Sequence, residues 1–273
     1  SNPLQDLTPA PVDCHALPAF ELTMRLNSQY AAEVIGTFIL VFTGTGAVVF
    51  NDISGGQVTP LGIGLVFGLV VMALIYTLGD VSGAHINPAV TLAFWASGQF
   101  KAKQVAPYIL SQCSGALLAS LLLRALFGNH ANMGATMPRE GLVYQCLILE
   151  IVLTFILMFV ILNVATGAKE KGITAGIAIG GVIALEATFA GPISGASMNP
   201  ARSLGPAVAS LNFTAFWIYL LGPAVGALLA VPAWRIVRPA NYNQQQDKRR
   251  PRRRPNQNRD RKPQWKNRPS QSS

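Results

Sequence analysis

The stretch SGAHINPA at residues 82–89 returns as SGASMNPA at residues 194–201, 112 positions further along the chain. Each copy lies between apolar segments, and the similarity extends to both sides. EVIGTFILVF at 33–42 is matched by EIVLTFILMF at 150–159. In the same way, Tyr108 followed by GALLA at 115–119 is matched by Tyr219 followed by GALLA at 226–230. The order of these pairs predicts that the chain is an internal duplication with two related halves.

The composition indicates a membrane protein. Hydrophobic residues make up 51% of the 273 positions and charged residues only 12%, a balance that is unusual for a soluble domain. A helix needs about 20 apolar residues to cross the hydrocarbon core. Six windows of about that length are present: Ala31–Phe50, Leu61–Leu78, Gln104–Phe127, Val143–Ala165, Ile173–Ala190 and Phe213–Val237. The sequence therefore predicts a six-span, all-α protein.

The number of spans determines how the two halves are oriented. A repeat unit with three spans enters the membrane from opposite sides in its two copies, which inverts one half relative to the other. Basic residues near the span ends collect on one side, which the positive-inside rule assigns to the cytoplasm. These residues are Lys101, Lys103, Lys169, Lys171, Arg235 and Arg238. The protein is therefore expected in the plasma (inner) membrane, with both termini on the cytoplasmic side. No signal peptide is expected within residues 1–29.

Three regions are predicted along the chain. Residues 1–29 are expected to be a polar lead-in, residues 30–238 the membrane domain with halves at about 30–127 and 143–238, and residues 239–273 a disordered tail. From position 241 onward there are eleven Lys or Arg against two Asp, which accounts for the net charge of +9. Such a tail is expected to contact anionic lipid or, less favoured, nucleic acid. The three cysteines have no metal-like spacing and are expected to be packing residues without metal chemistry. No cofactor and no enzymatic activity are expected of the chain.

The two Asn-Pro-Ala motifs predict helix starts at membrane depth. Asn is a favoured helix N-cap, and Pro is tolerated at the first helical position. The apolar segments that follow, 89 to about 96 and 200 to about 209, are too short to cross a bilayer. Two such half-helices entering from opposite faces would meet near the midplane. Non-helical backbone at that depth must be buried in protein or line a water-filled cavity, so a lumen is predicted there.

The residues of this lumen suggest what passes through it. The oxygens of Asn87 and Asn199 are expected to cap their own helices, which leaves the amide N–H groups as donors to a permeating oxygen. Both helix dipoles would point their positive ends at this place and oppose cations and protons. Arg202, whose counterpart in the first half is Val90, is expected to be a donor and positive guard at the narrowest point. The alternative is a structural arginine neutralised by a buried carboxylate.

Two intramembrane glutamates recur at equivalent places. Glu33 and Glu150 could relay protons, but their repetition favours a structural task, namely accepting hydrogen bonds from the unwound backbone of the re-entrant loops. Glu186 has Leu74 as its counterpart and receives no assignment. His85, beside the first motif, is interpreted as a hydrogen-bonded packing residue rather than a pH sensor.

The wording SGAHINPAV and AGPISGASMNPARSLGPA resembles the aquaporin and glycerol-facilitator family of major intrinsic proteins, and most closely its nodulin-like members and their bacterial relatives. The resemblance covers residues 30 to 238. It implies six tilted helices plus two half-helices, passive flux, and a homotetramer in which each protomer has its own pore. It also implies a selectivity constriction at four positions, which fall on Phe67, Ala187, Ala196 and Arg202.

Two of these positions depart from the better-known members of the family. Strict water channels usually carry His where this chain has Ala187, and glycerol facilitators present two aromatic rings where only Phe67 is aromatic here. The implied function is a passive channel for water and small neutral solutes, with glycerol favoured and urea or undissociated metalloid acids open. A coupled secondary transporter and a membrane anchor that acts through its basic tail are the alternatives.

Overall fold

A computed structural model describes residues 19–165 and 174–237, which form eight α-helices and one short 3-10 turn. Their bounds are α1 Ala19–Ile53, α2 Thr59–Ser82, α3 Pro88–Ala96, α4 Ala102–Phe127, the 3-10 turn Ala131–Gly134, α5 Val143–Ala165, α6 Ala175–Ser194, α7 Pro200–Ser210 and α8 Phe216–Val237. Six of these helices are long and apolar enough to cross a membrane, while α3 and α7 have only 9 and 11 residues. The predicted fold class, six spans plus two half-helices, is confirmed.

The observed helix bounds differ from the predicted windows at several ends. Helix α1 begins at Ala19, inside the segment predicted as a polar lead-in, because no Gly or Pro follows Pro18 until the first span is under way. Helix α6 continues to Ser194, four residues past its apolar window, and Gly195 in the left-handed conformation ends it. Residues 1–18 and 238–273, which include most of the predicted lead-in and the whole basic tail, lie outside the described residues.

Glycines allow the spans to approach closely at equivalent places in the two halves. A Cβ added to Gly180 of α6 would lie 2.6 Å from the carbonyl oxygen of Gly68 in α2, and one added to Gly176 would lie 2.7 Å from the ring of Tyr76. Gly115 of α4 meets the backbone of α1 at Val34, as Gly226 of α8 meets the backbone of α5. Small residues at such crossings let the backbones touch, which is the usual basis of helix packing in membranes.

The surface of the bundle is apolar where the helices face outward. Large apolar side chains remain exposed along the spans, among them Leu69, Leu110, Ile148, Leu185 and Leu229. A surface of this size and composition would associate in water, whereas hydrocarbon is its natural solvent. The chain is a multi-pass membrane protein.

Candidate functional site

The half-helices begin as the Asn-Pro-Ala motifs predict. Asn87 has extended backbone, and its side-chain oxygen accepts a hydrogen bond of 2.8 Å from the backbone N–H of Ala89. Asn199 does the same for Ala201, at 3.0 Å, and for Arg202, at 3.2 Å. Each asparagine therefore satisfies N–H groups that the start of a helix leaves without an intrahelical partner.

The two motifs also hold each other across the pseudo-symmetry axis. The Asn87 amide nitrogen donates to the carbonyl oxygen of Met198 at 2.8 Å, and the Asn199 amide nitrogen donates to the carbonyl oxygen of Ile86 at 2.9 Å. An amide nitrogen carries two N–H groups, so one on each asparagine is used in this clasp. The sequence predicted that both N–H groups of each amide would be free to donate to a permeating molecule. The structure leaves one N–H group on each asparagine for that purpose.

The backbone before each asparagine is strained in the same pattern. Ala84 and Ile86 have φ of 46° and 43°, and their counterparts Ala196 and Met198 have φ of 41° and 53°. Non-glycine residues rarely adopt this left-handed region, and each costs about 1–3 kcal/mol that the surroundings must offset. The conformation directs the carbonyl groups of Ile86 and Met198 towards the opposite asparagine. Such strain is a common mark of a functional site.

The two repeated glutamates bind these strained loops. Glu33 accepts from the backbone N–H groups of His85, at 3.0 Å, and Ile86, at 2.7 Å. Glu150 accepts from the corresponding N–H groups of Ser197 and Met198, both at 2.9 Å. Both carboxylates are fully buried. Every oxygen of the two carboxylates accepts at least one hydrogen bond from a loop N–H group, which favours the loop-supporting interpretation over a proton relay.

Further supporting residues were not recognised in the sequence. The serine at the start of each motif, Ser82 or Ser194, donates its hydroxyl to the glutamate of its half. Tyr108 and Tyr219 donate their hydroxyls to the carbonyl oxygens of these serines, at 2.9 and 2.7 Å. The repetition of the tyrosines at a fixed offset was the signal for this role, since it is equivalent to the repetition of the glutamates.

Two adjoining cavities meet at the two asparagines. A cavity of about 810 Å³ lies on the side of the first motif, and a second one of about 40 Å³ lies on the side of the second motif. Asn87 and Asn199 line both. The two cavities also share apolar lining residues from four spans: Leu40, Val71, Leu157 and Ile183. The shared middle of the path is thus mostly apolar apart from the two asparagines, while Asp80, His85 and Gln99 add polar groups to the larger cavity and Arg202 adds one to the smaller.

The four residues expected at the constriction all line the small cavity. They are Phe67, Ala187, Ala196 and Arg202. The guanidinium carbon of Arg202 lies 5.1 Å from the centre of the Phe67 ring, within the range of a cation–π contact. One terminal nitrogen of the guanidinium donates to the carbonyl oxygen of Gly134 at 2.7 Å. Gly134 belongs to the connection between α4 and α5, and no sequence pattern pointed to it.

The charge of Arg202 is buried without a paired carboxylate. The side chain is 5% exposed, and its Nε has no hydrogen-bond partner in the part of the chain that the structure describes. Among residues 19–165 and 174–237, no carboxylate oxygen lies within 4.0 Å of the guanidinium. This geometry does not support the alternative of an arginine neutralised by direct contact with a buried acid. Because Nε is buried, the donors available to a molecule in the small cavity are the terminal N–H groups that Gly134 does not use.

Glu186 stays without an assignment. It is 1% exposed, and neither of its carboxyl oxygens has a hydrogen-bond partner among the described residues. It precedes Ala187 on α6 but is not among the residues that line either cavity. Within the described part of the chain, no three His, Cys, Asp or Glu side chains are grouped as metal ligands.

A bundle of six spans, with two half-helices meeting at a lumen, defines a membrane channel. Comparison with known proteins identifies the family of this channel, because the sequence profile "Major intrinsic protein" matches residues 22–234. The chain belongs to the major intrinsic protein family.

Named relatives agree with this assignment. The chain is 49% identical over 224 residues to "Aquaporin NIP1-1" of Zea mays, which covers 82% of this chain and 79% of the maize protein. It is 46% identical over 211 residues to "Nodulin-26" of Glycine max, with 77% and 78% covered. The resemblance to the nodulin-like group is confirmed. The fold matches the X-ray structure of the aquaglyceroporin from Plasmodium falciparum with a TM-score of 0.71, over 78% of this chain and 96% of that chain, at 24% identity.

Proposed function

We propose that the protein is a passive channel for water and small neutral solutes, that it conducts glycerol, and that it excludes protons and ions. The observation that carries the solute assignment is the constriction, where one aromatic ring and the guanidinium of Arg202 face two alanines. The small side chains of Ala187 and Ala196 leave room that a ring would fill. A three-carbon polyol can place its carbon chain against Phe67 and its hydroxyls towards the arginine donors.

Ion exclusion follows from the charges that surround the path. The N-termini of α3 and α7 direct their positive dipole ends at the lumen, and Arg202 adds a full positive charge nearby. A cation would lose its hydration and meet no compensating acid among the residues that line the small cavity. Neutral molecules do not meet this barrier. Urea and undissociated metalloid acids are also small and uncharged, so this barrier does not oppose them either.

A coupled secondary transporter is the competing function, because such proteins also use inverted repeats and broken helices. It requires an ion site beside the half-helix ends. The glutamates closest to these ends, Glu33 and Glu150, have their oxygens taken by backbone and side-chain donors. The geometry therefore supports passive flux.

The assembly and location are also proposals. Membership of the family supports a homotetramer in the plasma (inner) membrane, each protomer with its own pore. The distribution of basic residues supports cytoplasmic termini. The polybasic tail is proposed to contact anionic lipid headgroups, with nucleic acid as the less favoured partner. If the tail instead recruits a partner protein, truncation at Asn241 should abolish binding of that partner and leave solute flux unchanged.

Replacing Ala187 with His tests the size of the constriction. The imidazole would fill the space opposite Phe67, so we expect glycerol permeability to fall about tenfold, the discrimination that a steric change of this kind gives, with water permeability within about twofold of wild type. Stopped-flow light scattering on proteoliposomes measures both rates. Ala187→Ser is the matched control, since it adds a donor with little bulk and should retain glycerol flux. Unchanged glycerol flux in Ala187→His would refute the solute assignment.

Replacing Arg202 with Val tests the positive guard. Valine is the residue at the equivalent place in the first half, where Val90 is buried in the core, so the fold has a precedent for it. We expect the cation leak to rise about tenfold, equivalent to about 1.4 kcal/mol of barrier. A pH-sensitive dye in the vesicle lumen reports the proton leak under an imposed gradient. Arg139→Val, at an exposed arginine, is the control. Equal leaks in both variants would contradict the role of Arg202.

A further inference from the structure

The connection between α4 and α5, residues 128–142, lies against the constriction although it contributes no side chain to the lining of the small cavity. Its contact with the site is the Gly134 carbonyl, which accepts the hydrogen bond from Arg202. The position of that carbonyl therefore fixes one of the donors of the guanidinium. We call this connection the 128–142 loop. Its own contacts hold the Gly134 carbonyl in place.

The loop makes an unusual turn immediately before this contact. Ala131, Asn132 and Met133 have φ of 45°, 48° and 58°, and Gly134 has φ of 71°. Three consecutive non-glycine residues in the left-handed region cost several kcal/mol together. A Cβ on Gly134 would lie 3.0 Å from the side chain of Thr45, so the glycine also allows the turn to pass against α1. Such a turn persists only where the surroundings hold it.

Met133 is the main anchor. Its side chain is fully buried in an apolar cluster with Val49, Leu123 and Ala209, from α1, α4 and α7. Burying a methionine contributes about 1.5–3 kcal/mol, which offsets a substantial part of the cost of the turn. Because Met133 and Gly134 are adjacent, the residue that enters the core and the carbonyl that binds Arg202 move together.

Thr136 is a second anchor on the other side of the carbonyl. Its hydroxyl lies 2.7 Å from the hydroxyl of Ser203, which lies 2.5 Å from that of Ser197. Ser197 donates in turn to the carbonyl oxygen of Asn199 at 3.0 Å. A chain of hydroxyls thus connects the 128–142 loop to the second Asn-Pro-Ala motif.

Among residues 19–165 and 174–237, no loop takes this place in the first half. There the places of Ser197 and Ser203 are taken by His85 and Thr91, whose side chains lie 3.1 Å apart, and the next contact is the amide of Gln112 on α4. In the first half, the hydrogen-bonded side chains thus end at Gln112 on a membrane-spanning helix. The network of the second half, which carries Arg202, is closed by the 128–142 loop.

We propose that Met133 and Thr136 are positioning residues for selectivity: they hold the Gly134 carbonyl, and through it the guanidinium of Arg202, in the geometry that conducts a polyol. This inference rests on the proposed function. A polyol must match several hydroxyls to fixed donors, whereas water needs only one contact at a time. Releasing the arginine therefore reduces glycerol flux more than water flux.

The experiment compares Met133→Ala, Met133→Leu and Thr136→Val with wild type in proteoliposomes. We expect the ratio of glycerol to water permeability to fall about threefold in Met133→Ala and Thr136→Val, comparable to the loss of one ordinary hydrogen bond. Met133→Leu should restore the wild-type ratio because it refills the cluster. Met158→Ala is the matched control, since Met158 is equally buried on α5 but lines neither cavity.

The same substitutions in an Arg202→Val background separate positioning from general destabilisation. If the loop acts through Arg202, Met133→Ala and Thr136→Val should not change the ratio further once the arginine is gone. A ratio that stays at the wild-type value in both single variants, or falls equally without Arg202, would overturn the inference. A wild-type protein that conducts neither solute would instead refute the proposed function. Thr136→Val keeps the test open if Met133→Ala fails to fold.

Discussion

Glu150→Gln should yield a channel that is less stable by about 3 kcal/mol and that conducts poorly, because buried N–H groups lose their acceptor. One oxygen of the Glu150 carboxylate accepts a hydrogen bond from the backbone N–H of Ser197, and the other accepts one from the backbone N–H of Met198. An amide offers a single acceptor, so its nitrogen would face one of these backbone donors. The strained loop that presents the Met198 carbonyl to Asn87 would then lose part of its support.

Thermal unfolding in detergent measures the loss of stability, and stopped-flow swelling measures the loss of flux. Glu33→Gln, the equivalent change in the first half, should behave alike, since Glu33 holds His85 and Ile86 in the same way. Glu140→Gln, at an exposed glutamate, serves as the control for the chemistry of the substitution. Wild-type stability and flux in Glu150→Gln would show that the loops do not depend on this carboxylate.

Gly180→Val should prevent the native packing of α2 against α6 and cost about 3 kcal/mol or more. The first atom of the new side chain would lie 2.6 Å from the backbone oxygen of Gly68 and 2.8 Å from the Cβ of Met72. Neither atom can rotate away, so the helices would have to separate. Since α2 and α6 also carry Phe67 and Ala187, the constriction would change with them.

The neighbouring residue supplies the control. A Cβ on Gly181 meets no atom of the described residues within 4 Å, so Gly181→Val has the same effect on helix propensity without the clash. The yield of monodisperse protein and its thermal midpoint in detergent distinguish the two variants. Similar yields and midpoints for both would mean that the contact between Gly68 and Gly180 does not control the packing of these spans.

Repetition made much of this architecture predictable from the sequence. Asn87 and Asn199 could be recognised as helix caps because Asn followed by Pro has a local physical meaning. Glu33 and Glu150 could be connected to the loops because both occur at matching places in the two halves. The span bounds were less accurate at their ends, where capping residues such as Gly195 rather than hydropathy decide where a helix stops.

Contacts between distant segments could not be predicted in this way. The clasp between Asn87 and the Met198 carbonyl depends on the relative placement of the two halves, and backbone carbonyls carry no sequence signal. The bond from Arg202 to Gly134 has the same character. Gly134 has no counterpart in the first half, so the duplication that identified the other groups gave no information about it.

Flux through wild-type protein under an imposed gradient tests the central claim most directly. Proteoliposomes would be loaded with glycerol and assayed by light scattering with no gradient, with a proton gradient, and with a sodium gradient across the membrane. A passive pore predicts rapid water and glycerol equilibration at the same rate in all three conditions, with no movement of glycerol against its own concentration gradient. Glycerol accumulation driven by either ion gradient would contradict the account and identify a coupled transporter.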